Sequence, residues 1–508
     1  MTKTKTKKTT TKTDAAGGSP QRRPAATPYA YDRLLIGGRW RAPAGDRVIE
    51  VRSPHDHRLV GRTPEATAAD VDLAVAAARQ AFDDGPWPRM TPAERRTVID
   101  RFKTLHREHA DELADLTTAE NGSARWFTRM YQPMLTDRID DFLRLSAALP
   151  WEEDLVDAAA LRTIVRREPV GVVAAVIPWN APQQSALVKL IPALLAGCTA
   201  ILKPSPETAL DGIRLGEIFA AAGLPDGVLS VLPADRQVSE YLVAHPGVDK
   251  IAFTGSTAAG RRIASVATGQ LKRVSLELGG KSAAIVLADA DLEAMAETLR
   301  FASFGNNGEA CIAFTRILAP RGHYEEVVDA VSALVRSLKV GDPADPETFV
   351  GPMIREGQRD RVASYIELGI EEGARLVIGG PGAPEGLEQG WYVRPTVFAD
   401  VDNAMRIAQE EIFGPVVAVI PYEDEEDAVR IANDSPYGLS GGVFTADRQR
   451  GVEIARRVRT GTFTVNGAGR HWDAPFGGFK GSGFGREYGP HGLEEYVELK
   501  SIATGIRA

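Results

Sequence analysis

The stretch VGVVAAVIPWNAPQQSALVKLIPALLAGCTAILKPS, residues 170–205, decides the fold of this chain. Two apolar runs with the length of buried strands, residues 172–177 and 199–202, flank a segment of helical period at residues 182–196. A proline in the first turn of that segment and Gly197 after its end are typical helix boundaries. This order predicts a strand, a helix and a second, parallel strand.

The same alternation continues along the chain. Further strand-like runs lie at residues 228–232, 250–253 and 273–278, and helical segments lie at 211–222, 238–244 and 257–268. A second alternating region, 283–465, has strand-like runs at 284–287, 315–318, 416–421 and 462–466, and helices at 324–338 and 427–433. Residues 68–148 have a mostly helical pattern. We therefore predict an α/β protein with two doubly wound units, each a parallel sheet covered by helices on both faces.

Two segments, residues 162–167 and 496–503, have the pattern of exposed strands without an evident partner. Unpaired strands are hazardous edges unless something pairs with them, often another subunit. We expect one unit from residues 30–148 and 170–279, a second from 280–477, and a small β extension from 149–169 and 478–508. Residues 1–29 form a basic tail that we expect to be disordered.

The charge distribution excludes several classes of partner. Residues 1–24 carry a net charge of +6, so the remaining chain has −14 within the total of −8. An acidic body is a poor electrostatic match for nucleic acid or an anionic membrane surface, and we expect neither as a partner. With only two cysteines, a disulfide framework is excluded and a reducing, cytoplasmic location is expected. The eight histidines show no metal-binding spacing, so no metal is expected.

Three local segments carry candidate chemistry. FTGSTAAG (253–260) follows a strand and opens a helix, where Gly255 permits a tight turn and Ser256 can hold a phosphate, or simply cap the helix. LELGGKS (276–282) ends a strand with Glu277, which suits general-base work in a dry cleft but could equally be solvated. GNNGEACIAFTR (305–316) places Cys311 in a polar turn suited to a nucleophile, whereas Cys198 lies in an apolar passage typical of the core.

The complete set of motifs resembles the aldehyde dehydrogenase superfamily over about residues 35–503. The motifs, in chain order, are PWN (178–180), LKPS (202–205), FTGSTAAG, LELGGKS, the cysteine segment, EEIFGP (410–415) and PFGGFKGSGFGRE (475–487). The resemblance implies a Rossmann-like cofactor-binding domain for the first unit and a catalytic domain for the second. It also implies that the β extension mediates a homodimer or homotetramer.

The resemblance implies a catalytic role for three residues. Cys311 matches the nucleophile that attacks a small-molecule aldehyde and passes through a thiohemiacetal and a thioester. Asn180 matches the side chain that completes an oxyanion hole with the Cys311 backbone N–H. Glu277 matches the base that activates water to hydrolyse the thioester, so the expected product is the free carboxylic acid.

The resemblance also implies a cofactor site for NAD, with NADP possible. The cofactor-binding residues that it assigns are Ile177, Pro178, Trp179, Lys203, Glu207, Gly255, Ser256, Leu278, Glu411 and Phe413. Lys203 would bind the adenine ribose, Ser256 the pyrophosphate, and Glu411 with Phe413 the nicotinamide ribose. Lys189 matches a helix lysine near the catalytic centre.

Two departures from the family pattern affect these expectations. Pro206 stands where a ribose-binding glutamate is common and Glu207 follows it, so we favour NAD because a carboxylate there repels a 2′-phosphate. No arginine stands within residues 203–208 to receive that phosphate. Glu309 stands where glutamine is common, and it would raise the thiol pKa only if it does not point into solvent.

Two alternatives to a hydrolytic enzyme remain open on the sequence. One is a CoA-acylating aldehyde dehydrogenase, against which Glu277 argues because that branch typically replaces it. The other is a non-catalytic binding protein on the same fold, since a fold does not fix a function.

The loop GAGRHWD (467–473) is expected to form the outer wall of the substrate tunnel through Arg470, His471 and Trp472.

Overall fold

The structure is a computed structural model that describes residues 29–159 and 161–506. The tail expected to be disordered, residues 1–29, lies outside the described residues except for Tyr29. The strands are β1 (Tyr29–Ala30), β2 (Leu34–Ile36), β3 (Arg39–Arg41), β4 (Val48–Arg52), β5 (Leu59–Pro64), β6 (Glu152–Val156), β7 (Leu161–Pro169), β8 (Val172–Val176), β9 (Thr199–Lys203), β10 (Leu229–Val231), β11 (Lys250–Thr254), β12 (Arg273–Glu277), β13 (Ser282–Val286), β14 (Phe314–Pro320), β15 (Arg375–Ile378), β16 (Thr396–Ala399), β17 (Val416–Tyr422), β18 (Gly441–Phe444), β19 (Thr464–Val465), β20 (Gly483–Phe484) and β21 (Val497–Ile506).

Helices connect most of these strands. The α-helices are α1 (Ala68–Asp83), α2 (Pro92–Glu108), α3 (Ala110–Asn121), α4 (Arg125–Ala148), α5 (Pro182–Ala196), α6 (Ala209–Ala221), α7 (Arg236–Ala244), α8 (Thr257–Thr268), α9 (Leu292–Phe304), α10 (Tyr324–Ser337), α11 (Glu356–Glu371), α12 (Arg406–Gln409), α13 (Glu425–Asn433), α14 (Arg448–Arg457) and α15 (Gly489–Glu494). Short 3-10 helices lie at Trp87–Arg89, Pro206–Thr208, Gly305–Gly308, Arg321–His323 and Lys480–Ser482. The bounds predicted for α5 and α8 are confirmed. No helix in the part of the chain that the structure describes is long and apolar enough to cross a membrane.

The first unit is built on an eight-stranded sheet of order β20-β12-β11-β8-β9-β10-β2-β3. Strands β12, β11, β8, β9 and β10 are parallel to one another, and antiparallel pairing adds β20 at one edge and β2 at the other. Numbered along the chain from β8, the five parallel strands have the order 3-2-1-4-5 of dinucleotide-binding sheets. Ligands of such sheets bind beyond the carboxyl ends of the strands where the order reverses, here between β8 and β11.

Both faces of this sheet are covered by helices, as the doubly wound prediction requires. Along β9, Ala200 and Leu202 pack into the core formed with α2, α5 and α6. Ile201, between them, packs on the opposite face into the core formed with α1, α7 and α8. All three side chains are fully buried, and burying each of the two larger ones contributes about 1.5–3 kcal/mol. The absence of alternation in the sequence of β9 therefore follows from burial on two faces.

The second unit is built on a seven-stranded sheet of order β15-β16-β17-β14-β13-β18-β19. All of its neighbouring strands are parallel except β15, which is antiparallel to β16. Helices α11, α13 and α14 cover one face, and α9 and α10 cover the other. This sheet confirms the second doubly wound unit and places the segment with Cys311 immediately before β14.

The two predicted exposed strands, for which the sequence showed no evident partner, pair with each other. β7 is the central strand of a three-stranded antiparallel sheet and lies between β21 and β6. The pairing opposes Pro169 to Val497 and Leu161 to Ile506, which are separated by more than 300 positions in sequence. The carboxyl-terminal segment is also divided, because β20 joins the eight-stranded sheet and α15 packs on α4 and α5 before β21 begins.

Candidate active site

The loop that carries Cys311 has an unusual backbone. Asn306 and Asn307 both adopt left-handed conformations, with φ of 52° and 60°. Asparagine tolerates this region better than most residues because its side chain hydrogen-bonds locally. The Asn307 side chain donates to the carbonyls of Gly122 and Pro352, 3.0 Å away in each case, and accepts from the Gly351 N–H at 2.7 Å. These bonds anchor the loop to two distant segments of the chain.

Asn180 contacts the same loop directly. Its side-chain Nδ2 donates to the carbonyl of Glu309 at 2.8 Å, two residues before Cys311. In return, Nδ2 of Asn306 donates to the Asn180 carbonyl, also at 2.8 Å. An asparagine amide carries two N–H donors, so one remains for a further acceptor at the site. The structure therefore brings Asn180 to the loop of Cys311, although the two residues lie 131 positions apart in sequence.

The thiol of Cys311 is half-buried and electrostatically disfavoured as an anion. Burial, followed by the effect of three nearby carboxylates, raises its pKa to about 12. The carboxylates, in decreasing order of effect, are Glu411, Glu277 and Glu487. At neutral pH the thiol is therefore protonated in this state of the protein, and a positive charge entering the cleft would favour its ionisation.

Glu277 ends β12 in a dry environment. It is buried, and neither carboxylate oxygen has a hydrogen-bond partner among the described residues. Burial raises its pKa well above the usual range, and the carboxylate of Glu487 raises it further. Position 477 beside this carboxylate requires glycine, because a Cβ at Gly477 would lie 2.8 Å from Glu277 Oε1. A buried carboxylate without donors is a strong proton acceptor once it is ionised.

Lys189, the positive partner of a buried ion pair, opposes the rise in the Glu277 pKa. Lys189 of α5 is almost fully buried, and its Nζ lies 2.6 Å from Glu487 Oε1 and 2.6 Å from the Thr254 hydroxyl. The charge of Lys189 lowers the Glu277 pKa, as do Arg486 and Arg470 to smaller extents. The sequence pattern identified Lys189 but missed Glu487, which closes the last motif, PFGGFKGSGFGRE.

Two other residues have to be distinguished from the nucleophile and its neighbours. Glu309 lies two residues before Cys311, and Cys198 is the second cysteine of the chain. Glu309 is buried rather than solvated, and its Oε1 accepts a hydrogen bond from the Ile354 N–H at 3.2 Å. Its pKa is raised by burial, whereas the carboxylates that raise the Cys311 pKa are the three named above. Cys198 is fully buried in the core, where burial raises its pKa to about 11.

The reversal point of the eight-stranded sheet gathers two of the predicted cofactor segments. Residues 177–180 leave β8, and Gly255 and Ser256 leave the neighbouring strand β11. Ser256 is exposed and caps α8, accepting a hydrogen bond from the Ala259 N–H at 3.3 Å. A 12-residue helix that begins at the carboxyl edge of such a sheet offers free N–H groups to a phosphate. Both the strand order of the sheet and the free N–H groups at the start of α8 therefore fit a bound dinucleotide.

The nicotinamide end of the predicted site is formed across the two units. The indole of Trp179 meets the ring of Phe413 edge-on, with centroids 5.4 Å apart. Phe413 has a φ of 64°, a rare conformation for a bulky residue, and its carbonyl accepts from Gln358 Nε2 at 2.6 Å. Glu411 Oε1 accepts from the Gly280 N–H at 2.9 Å, and burial raises its pKa. Gln358 was not found from the sequence.

Two of the predicted cofactor residues have side chains that face the core. Ile177 packs with α2, α5 and α6, and Leu278 packs against α8, where a Cβ at Gly260 would lie 2.4 Å from its Cδ2. Both side chains are almost completely buried. Only the backbone of these residues can therefore face a ligand, in contrast to Pro178 and Trp179, which are partly exposed.

The adenosine end of the predicted site differs from the sequence expectation in one respect. Lys203 ends β9, and burial lowers its pKa to about 8. Glu207, four residues later, accepts hydrogen bonds from the Ser205 hydroxyl and from Nη1 of Arg355. The sequence showed no arginine next to this segment. The fold supplies one from the other unit.

An aromatic cluster surrounds Arg470, in the loop expected to form the wall of the substrate tunnel. The Arg470 guanidinium lies 4.5–4.9 Å from the ring centroids of Trp472, Phe476 and Tyr488. The Tyr488 hydroxyl accepts from Gln184 Nε2 at 2.6 Å. The Tyr131 hydroxyl donates to Gln184 Oε1, so Gln184 joins Tyr131 to Tyr488. Burial raises the pKa of Tyr131 well above its usual range, with smaller effects of Tyr488 and Cys311.

No three His, Cys, Asp or Glu side chains are grouped as metal ligands within residues 29–159 and 161–506. The groups that the site offers for chemistry are the Cys311 thiol, the Glu277 carboxylate and the amide donor of Asn180.

Comparisons with known proteins agree with this geometry. Residues 40–502 match the model of the aldehyde dehydrogenase family. Geranial dehydrogenase of Castellaniella defragrans is 46% identical over 473 residues, which are 93% of this chain and 98% of the relative. The crystal structure of a Mycobacterium tuberculosis aldehyde dehydrogenase complexed with NAD+ is 49% identical, with a TM-score of 0.92 over 94% of this chain and 99% of that one. Aldehyde dehydrogenase C of Pseudomonas syringae, a mutant complexed with NAD+ and octanal, is 41% identical, with a TM-score of 0.89 over 93% of this chain and 96% of that one. The chain belongs to the aldehyde dehydrogenase family.

Proposed function

We propose that this chain oxidises an aldehyde to the free carboxylic acid with NAD as the hydride acceptor. The observation that carries the proposal is the convergence of Cys311, Asn180 and Glu277, which supply a nucleophile, an amide donor and a buried carboxylate without hydrogen-bond partners. The NAD+ complexes of the two solved relatives support the choice of cofactor.

The first half of the reaction uses Cys311 and Asn180. The sulfur of Cys311 forms a bond to the carbonyl carbon of the aldehyde, the π electrons of the carbonyl move to its oxygen, and the thiol proton is released to solvent. The oxygen of the resulting thiohemiacetal receives hydrogen bonds from Asn180 Nδ2 and the Cys311 backbone N–H. NAD, when bound, supplies a positively charged ring that favours the thiolate and accepts the hydride. A thioester remains on Cys311.

The second half uses Glu277. Its carboxylate takes a proton from a water molecule as the water oxygen attacks the thioester carbon. The carbon–sulfur bond then breaks, the Cys311 thiolate leaves, and the acid is released. A CoA-acylating enzyme would resolve the thioester with the thiol of CoA instead. The buried, unpartnered carboxylate of Glu277 favours hydrolysis by water.

The aromatic cluster around Arg470 supports medium-chain or bulky hydrophobic aldehydes as substrates. Tyr131, Trp472 and Phe476 are partly exposed and offer apolar ring surface to a substrate. A solved relative contains octanal, and a similar enzyme is named for geranial. Acetaldehyde would leave most of this surface without contacts. We therefore expect hexanal and terpenoid aldehydes to have higher kcat/KM values than acetaldehyde.

One experiment tests the reaction and its cofactor together. A panel of acetaldehyde, hexanal, octanal and geranial is incubated with NAD or NADP in the absence of CoA. We expect NADH and the corresponding acid in equal amounts. A product that forms only after CoA is added would overturn the hydrolytic assignment, and no reduced cofactor with any aldehyde would overturn the oxidoreductase assignment.

The arrangement of units also belongs to this proposal. We assign cofactor binding to residues 30–148 and 170–279 and the nucleophile to residues 280–477. The sheet of β6, β7 and β21 would join subunits in a homodimer or homotetramer. It carries exposed apolar side chains suited to burial against a second copy, namely Leu155, Val156, Leu161, Leu499 and Ile502. The two unpaired cysteines favour a cytoplasmic location.

A further inference from the structure

An ion pair joins the two α/β units at the adenosine end of the cleft. Glu207 lies in the short helix Pro206–Thr208 that follows β9. Arg355 is the residue before α11, in the other unit, 148 positions away. Nη1 of Arg355 donates to Glu207 Oε1, and the Ser205 hydroxyl donates to Oε2. Both oxygens of the carboxylate therefore have a partner.

The position of this pair connects it with cofactor choice. In dinucleotide-binding sheets of this class, an acidic residue binds the ribose hydroxyls of NAD, whereas a nearby arginine accommodates the 2′-phosphate of NADP. Here an acidic residue and an arginine stand at the same place and neutralise each other. Glu207 is the one carboxylate within ion-pair distance of Arg355 among the residues that the structure describes.

The exposure and the charge of the Arg355 and Glu207 side chains determine which groups a 2′-phosphate would contact. The Arg355 side chain is 55% exposed and that of Glu207 is 20% exposed, so the pair faces solvent at the edge of the cleft. Lys203, a second basic group, is buried at the end of β9, and the charge of Glu207 acts on it. With Glu207 present, a 2′-phosphate meets a carboxylate and an arginine that is already paired. Without Glu207, it would meet an Arg355 guanidinium that has no carboxylate within ion-pair distance among the described residues.

We propose that Arg355 is a specificity residue for the cofactor, which Glu207 masks in the native chain. The pair selects NAD because Glu207 repels the 2′-phosphate and also occupies the guanidinium that could bind it. Removal of Glu207 exposes Arg355 as a phosphate ligand. This inference rests on the proposed function, because it assumes that a dinucleotide binds in the cleft between β8 and β11.

The test measures binding without catalysis. Isothermal calorimetry compares adenosine 5′-monophosphate with adenosine 2′,5′-bisphosphate, which differ only in the 2′-phosphate. We expect the native protein to prefer the monophosphate. In Glu207→Gln, bisphosphate affinity should rise about tenfold or more, since a charge repulsion is replaced by a charge-assisted hydrogen bond. In the double variant Glu207→Gln with Arg355→Met, most of this gain should disappear.

The controls separate Arg355 from a general effect of surface charge. Arg359→Met removes a nearby arginine that pairs with Asp360 and stacks on Trp391, and should not reduce the gain when it is combined with Glu207→Gln. Glu207→Ser provides a second substitution if Glu207→Gln folds poorly. A gain that survives Arg355→Met, or no gain in either Glu207 variant, would overturn the inference.

The outcome is distinguishable from a failure of the proposed function. If the native protein binds adenosine 5′-monophosphate but oxidises no aldehyde, the catalytic proposal fails while the binding comparison remains decisive. If it binds neither adenosine ligand, the inference fails together with its assumption. Steady-state KM values for NAD and NADP in the same variants provide a second readout, in which Glu207→Gln should lower the NADP value and the double variant should restore it.

Discussion

Lys189 and Glu487 form a buried ion pair at 2.6 Å that links the helix after Asn180 to the last motif of the chain. Their charges act in opposite directions on Glu277, since Glu487 raises its pKa and Lys189 lowers it. Burial has the largest effect on the pKa of Glu277, and the pair adjusts it in both directions without needing to contact the reacting atoms. We regard Lys189 and Glu487 as positioning residues.

Replacing Lys189 with methionine should move the pH dependence of turnover to higher pH. The substitution removes a positive charge and leaves Glu487 unpaired, so the pKa of Glu277 rises further. Because the ionised form of Glu277 is the active base, activity at neutral pH falls and recovers as the pH is raised. We expect the midpoint of the kcat profile to shift to higher pH, because the positive charge that lowers the Glu277 pKa is lost. Steady-state kcat measured from pH 6 to 10 checks this.

Lys250→Met is the matched control for that experiment. Lys250 is also a buried lysine paired with a glutamate, Glu495 at 3.0 Å, and the charges that act on Glu277 do not include it. Breaking either pair should reduce stability by about 3–5 kcal/mol, so thermal unfolding is measured for both. A pH profile that shifts equally in the two variants would assign the effect to lost stability rather than to Glu277.

Cys311→Ala should abolish aldehyde oxidation, because no other group near Asn180 can form the covalent intermediate. Cys198→Ala should retain most of the native rate, since Cys198 is buried in the core and its sulfur contacts the carbonyl of Tyr496 at 3.4 Å. Initial rates of NADH formation with a saturating aldehyde test both variants. Substantial turnover by Cys311→Ala would remove it as the nucleophile.

Glu277→Gln should separate the two halves of the reaction. The amide cannot accept the proton of water, so thioester hydrolysis should slow by about two to four orders of magnitude, whereas attack by Cys311 persists. Stopped-flow absorbance should show a burst of about one NADH per active site, followed by a slow steady state. If the burst and the steady state fall by the same factor, Glu277 acts in acylation or in structure instead.

Deleting residues 496–508 should expose β7 as an unpaired edge. β21 covers β7 from Pro169 to Leu161 in the native sheet, and β7 without it presents free N–H and carbonyl groups. We expect dissociation of the oligomer or aggregation, which sedimentation velocity detects. A truncated protein with the native sedimentation coefficient would contradict this view of the interface.

A point substitution tests the same surface without removing a strand. Leu499 on β21 is 67% exposed, and Leu499→Asp should weaken subunit association by placing a charge in an apolar contact. Leu271→Asn is the control, because Leu271 is 92% exposed on the turn after α8 and lies outside the three-stranded sheet. Association that is equally weak in both variants would not support this interface.

The sequence by itself determined the units of local structure and most of the candidate chemistry. The bounds of α5 follow from Pro182 in its first turn and Gly197 at its end, both of which act within one helical turn. The alternation of buried strands and helices was sufficient for two doubly wound units. Cys311 and Glu277 stood out in their own short motifs, whereas Asn180 was identified only through the resemblance to the family.

Only the tertiary structure decided which distant groups meet. The pairing of β7 with β21, the buried pair of Lys189 and Glu487, and the contact of Arg355 with Glu207 join positions 148 or more residues apart. The periodicity of a sequence reports what a residue does within its own helix or strand. It carries no information on the order of strands in a sheet or on how separate sheets and helices pack, and in this protein these arrangements bring the edges and the charges together.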